Sequence, residues 1–171
     1  MRFPVPFLPL ILLSLWLLGM TQAQAQAQVQ AQAQAQVQES PVLTLSRGGE
    51  RRSLSLAEIE RHGLHEVEMR HFEGPEGRFA GVWLNDFLAA EGLDDASRLR
   101  FIALDNYTTF LTPAERAEKA YLLVTRLDGE PLGRDQFGPL MLVVPADTEA
   151  VLAGEEPMSR WIWSIREVSA R

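Results

Sequence analysis

No cysteine occurs in the 171 residues of this chain. That absence excludes disulfides, a thiol nucleophile and any thiolate ligand to a metal. Histidine is scarce as well: His62, His65 and His71 are the only three. Their spacing crosses a helix end and a strand and matches no zinc pattern, so they read as surface residues. There is no Gly-rich phosphate loop and no GxSxG elbow. Ser46, Ser53 and Ser55 have no histidine–acid partners by sequence. Basic residues are outnumbered, 16 Lys and Arg against 23 Asp and Glu, for a net charge of -7. Such a surface repels nucleic acid and anionic lipid, so neither is expected as a partner.

What is present begins with a leader. Arg2 precedes a largely apolar run, Phe7–Met20, followed by the small residues Thr21, Ala23 and Ala25, the layout of a signal peptide over residues 1–23. The run is shorter than the roughly 20 residues of a membrane span. The expected location is therefore periplasmic or secreted, with no membrane insertion after cleavage. From Gln22 to Gln38 glutamine alternates with alanine or valine, and AQAQAQVQ occurs twice. With no charge and no large side chain to bury, residues 24–40 read as a disordered, solvated linker in which a transient helix can form. Residues 41–171 are one domain's worth, and without disulfides burial alone must hold them.

Local patterns in that domain give an α+β class. Val42–Leu45, Glu66–Phe72, Arg78–Val82, Leu99–Leu104, Tyr107–Leu111, Leu122–Leu127, Leu140–Val144 and Trp161–Val168 read as strands. Ser55–Glu58 and Thr112–Glu115 have capping-box spacing at helix starts, the second with Pro113 at the first helical position. Leu84, Phe87, Leu88 and Glu91 share a helical face that ends at Gly92. Asp105-Asn106 and Asp128-Gly129 are turn signals.

Particular stretches then carry a resemblance: Glu73–Gly92 (EGPEGRFAGVWLNDFLAAEG), Asp105-Asn106-Tyr107, Thr125–Leu132, Arg134-Asp135, Gly138-Pro139-Leu140 and Arg160-Trp161-Ile162-Trp163. In order and spacing they resemble small, exported, single-domain members of the sulfite-oxidase-type molybdopterin-binding oxidoreductases. The resemblance implies mixed β-sheets with a few short helices and molybdopterin as the cofactor such a fold could hold. It also implies a metal-ligating cysteine in the strand before the first Gly-rich turn. Counting back from Gly81 puts that place at Met69, within two positions. A thioether is neutral and a weak donor and does not replace the thiolate, so no molybdenum ligation is expected. His71, in the same window, could coordinate a metal in principle, yet imidazole is not this family's ligand.

The site residues implied are Met69, Tyr107, Arg126, Arg134 and Arg160, with no catalytic residue and no metal ligand assigned. The three arginines suit a small anionic ligand such as a pterin phosphate. Their competing reading is surface pairing with Asp128, Asp135 or Glu156. Trp161 and Trp163 alternate along one strand face and should pack the core or cover a pocket wall. The combination implies a non-catalytic module that binds a ligand or a periplasmic or membrane protein partner. The alternative is an active oxidoreductase whose metal is held by the pterin dithiolene alone. The leader reading predicts a mature chain beginning near Gln24 or Gln26, which the intact mass of exported protein checks directly; a mass retaining Met1–Ala23 would contradict it.

Overall fold

The computed structural model describes Gln24, residues 26–33 and residues 35–171; the leader expectation for residues 1–23 lies outside them. The chain divides between Gln38 and Glu39 into two units. In the first, the described Ala/Gln residues are helical up to Glu39 and exposed through Val37. Alanine and glutamine both have high helix propensity, so helical backbone in this stretch needs no apolar stripe.

The second unit is built on two five-stranded sheets. The first has the order β2-β1-β10-β5-β6, from β1 (Pro41–Arg47), β2 (Glu50–Ser55), β5 (Leu99–Ala103), β6 (Thr108–Leu111) and β10 (Ile165–Ala170). Only β1 with β10 is parallel. The second sheet runs β3-β4-β7-β8, with β9 also paired to β7; its strands are β3 (His65–Arg70), β4 (Glu76–Trp83), β7 (Leu122–Leu127), β8 (Glu130–Pro131) and β9 (Met141–Val143). Four short α-helices join them: α1 (Leu56–Glu60), α2 (Leu84–Ala90), α3 (Pro113–Glu118) and α4 (Thr148–Leu152). Both expected capping boxes are present, Ser55 with Glu58 and Thr112 with Glu115. The α+β class with mixed sheets and a few short helices is thus the observed one.

Alternation explains the layering. On β7, Leu123 joins the main core with Leu43, Phe87, Phe101 and Ile165. Its neighbours Leu122 and Val124 point the other way, into a second cluster with Met69, Phe79, Met141, Val143 and Trp161. Successive strand side chains alternate faces, so a run apolar in both phases must be covered on both sides. Gly81, at the bulge between β4 and β7, lies so close to the Leu123 carbonyl that a side chain there would collide with it.

Two strand expectations change. The polar segment Glu50–Ser55, read as no strand, forms β2, pairing antiparallel with β1 along its length. The expected strand Trp161–Val168 begins only at Ile165, because Ser164 adopts φ 53° and breaks the extended run. Trp161, buried, and Trp163, half-buried, therefore lie in a loop and not on a strand, both packed in the second cluster.

Phe101 and Phe110 lie on adjacent strands of the first sheet, the former fully buried and the latter exposed beneath the Arg98 guanidinium. Phe101→Ala should cost about 3–5 kcal/mol, whereas Phe110→Ala should stay within about 1 kcal/mol. Urea unfolding of the two variants checks the pair; equal losses would contradict the core assignment.

Candidate functional site

Two chain segments meet around one cavity of about 270 Å³, lined by Ala103, Asp105, Tyr107, Met158, Trp161, Ile162 and Trp163. The first is the β5–β6 turn. Asn106 takes φ 70°, and the Tyr107 N–H donates to Asp105 Oδ1 at 2.9 Å. Arg166 braces this turn, donating from Nε to the Ala103 carbonyl at 3.0 Å and from Nη2 to Asn106 Oδ1 at 2.8 Å. The second segment is the run before β10, which Ile162 anchors to β9 through paired backbone hydrogen bonds with Leu142. The walls are therefore two indoles, a phenol, a thioether and an isoleucine. Asp105 is the one charged lining residue.

Behind this pocket sits His71, and the surface reading of that residue is corrected. It follows β3 directly, and the turn at Glu73–Pro75 folds back on it: the His71 N–H donates to the Pro75 carbonyl at 2.7 Å and the Gly74 N–H to the His71 carbonyl at 3.0 Å. The ring is completely buried among Phe72, Phe137, Trp161 and Trp163, with centroid separations of 4.5–5.7 Å. Nδ1 accepts from the Glu73 N–H at 3.2 Å, while Nε2 is buried without a partner. Desolvation in this box lowers the imidazole pKa to about 4. The ring is neutral at physiological pH. Of the other histidines, His65 is exposed and His62 contacts Glu91 at 3.0 Å.

The remaining sequence-derived residues disperse. Met69 is buried in the apolar cluster with Phe79 and Val124. Arg126 makes a bidentate pair with Glu60, at 2.7 and 2.8 Å, and these hydrogen bonds raise its pKa above the usual guanidinium range. Arg160 donates to Glu118 at 3.1 Å. Arg134 is exposed, in an open depression it shares with Arg51, Arg166 and Glu167. Tyr107 alone of the five lines the aromatic pocket, and no arginine joins it there. The pairing partners differ from those suggested by sequence proximity: Glu60 and Glu118 come from α1 and α3, which only the fold brings alongside.

Sequence reasoning passed over Met158, read Asp105 only as a turn residue and placed His71 at the surface. His71 did carry a signal. His71 lies two positions beyond Met69, just before a Gly-Pro turn, so continued alternation puts its ring on the buried face of the strand that ends at Arg70.

The His71 geometry sets a pH dependence. The unfolded chain takes up the imidazole proton near the ordinary value of 6.5, whereas the native chain takes it up only near 4. Stability is thus complete above pH 6.5 and falls as pH drops toward 4, by up to about 1.4 kcal/mol per pH unit. Glu58 and Glu115, held below 4.5 chiefly by backbone hydrogen bonds at their helix caps, begin to lose their contribution only as pH falls below 4.5, at the acid end of this decline. Urea unfolding between pH 6.5 and 4.5 should show the decline, and His71→Phe should flatten it. An unchanged slope in the variant would contradict the assignment.

A family model for the oxidoreductase molybdopterin binding domain matches residues 19–153. No curated protein sequence matches the chain. Among solved structures it is similar to the sulfane dehydrogenase SoxCD from Paracoccus pantotrophus, with a TM-score of 0.54 and 14% identity. That likeness covers 78% of this chain and 38% of the SoxCD chain, so the protein spans well under half of its structural neighbour. At this identity the likeness concerns the fold. With the family match extending over most of its length, the chain belongs to the oxidoreductase molybdopterin-binding domain family.

Proposed function

We propose that this chain is an exported, non-catalytic module that binds a small ligand on the molybdopterin-binding fold. The observation that carries the reading is the donor set. No cysteine is present in the chain, and the window around Met69 offers no sulfur but the Met69 thioether; beside it stand the His71 imidazole and the Glu68 carboxylate, an oxygen donor exposed on the other strand face. The Met69 thioether is committed to an apolar cluster, and the His71 imidazole is neutral and enclosed by aromatic rings. Neither supplies the anionic sulfur through which catalytic members hold molybdenum, because a thioether and a neutral imidazole are uncharged donors. Two of the three anion-gripping arginines are committed to acidic partners, and the third, Arg134, lies in a separate open depression. Arg126 and Arg160 are paired with Glu60 and Glu118, and the pocket beside His71 presents a carboxylate where a pterin phosphate would need a cation.

What favours a ligand module is the pocket itself, concave, apolar-walled and assembled from two braced segments. Export follows from the leader pattern of residues 1–23. Metal and pterin analysis of protein purified from a molybdopterin-competent host tests the reading. Less than a tenth of a molybdenum per chain, to order of magnitude, is expected. About one metal per chain, held through the dithiolene without a protein thiolate, would overturn it in favour of an oxidoreductase.

A further inference from the structure

We infer that the aromatic pocket takes a small quaternary or tertiary alkylammonium ion. The inference rests on the ligand-module reading and narrows it to one chemical class.

Three aromatic rings line the cavity, those of Trp161, Trp163 and Tyr107, and its one charged lining residue is Asp105. An aromatic ring presents a negative face, so a ring cluster beside a carboxylate attracts cations and rejects anions. The chain's net charge of -7 adds to that preference. The Tyr107 N–H holds Asp105 Oδ1 at 2.9 Å, which fixes the carboxylate at the pocket while its second oxygen has no hydrogen-bond partner among the described residues.

The substitution state of the nitrogen follows from the other walls. A primary ammonium has three N–H donors to satisfy. Met158 and Ile162 accept nothing useful, so most of those donors would be stranded. An alkylated nitrogen has few or no donors to strand, and its methyl groups gain dispersion against the rings. A cavity of about 270 Å³ has room for a headgroup of this size.

The exposure pattern agrees. Tyr107 is 55% and Met158 51% exposed, more open than the domain's other exposed large hydrophobic side chains, and both line this cavity. Exposed apolar surface clustered at a concavity marks a binding site.

The test is a ligand-observed NMR titration of the full domain with choline and with 3,3-dimethyl-1-butanol, its neutral isostere. Choline should bind saturably, and the neutral isostere about tenfold more weakly, the size of a desolvated cation–π contribution. Asp105→Asn keeps the acceptor for the Tyr107 N–H, and Tyr107→Leu alters an exposed side chain, so both variants should fold; each should weaken choline by about five- to tenfold. Equal affinity for the neutral isostere would overturn the ammonium inference while leaving a ligand pocket in place. No saturable choline binding up to about 10 mM, or unchanged binding in both variants, would overturn it as well. Molybdenum content plays no part in these readouts, so the inference fails or stands separately from the metal analysis.

Discussion

Burial of the second sheet on both faces is the constraint on which the rest depends. Strand β7 is apolar in both phases, with Leu123 facing the main core and Leu122 and Val124 facing outward. A sheet of that kind cannot leave its outer face in water, since each large side chain there forgoes roughly 1.5–3 kcal/mol if exposed. The chain supplies a cover from Phe72, Phe137, Trp161 and Trp163, drawn from three separate connections. Without disulfides this cover and the main core carry the domain's stability between them.

His71 is the consequence of that cover. The strand that places Met69 in the outer cluster ends one residue before His71, and the turn that follows tucks the imidazole beneath the aromatic rings. Where the family resemblance calls for an anionic sulfur, within two residues of Met69, this chain presents a neutral heterocycle with one unpartnered nitrogen. The cover then has an outer side. Trp161 and Trp163, which contact His71 on one side, also line the cavity shared with Tyr107 and Asp105. Core, buried histidine and pocket are three layers of one packing arrangement, so the site's chemistry follows from how the sheet is sheltered.

Much of the fold was legible because its signals are local. Both capping boxes lie within four residues, the Asp128-Gly129 turn is a dipeptide, and β7 was bounded correctly at Leu122–Leu127 by its apolar run. Strand β2 was not legible, since Glu50–Arg52 are exposed and the strand is specified by pairing with β1. The site was less legible still. Arg126 pairs with Glu60 across 66 positions of sequence, a relation no window can display. Trp161 and Trp163 looked like the start of a strand, yet the left-handed turn at Ser164 leaves both in the loop before β10, where both line the pocket. His71 looked like any surface histidine because its burial comes from residues up to 92 positions away, such as Trp163.

An enclosed, neutral imidazole stands in the segment where the family resemblance implies a thiolate. Long-range proton–nitrogen NMR of the imidazole nitrogens of His71 at pH 5.5 tests it most directly. The account predicts the two distinct nitrogen shifts of a neutral ring, since its pKa lies near 4. The matched shifts of an imidazolium at that pH would contradict it.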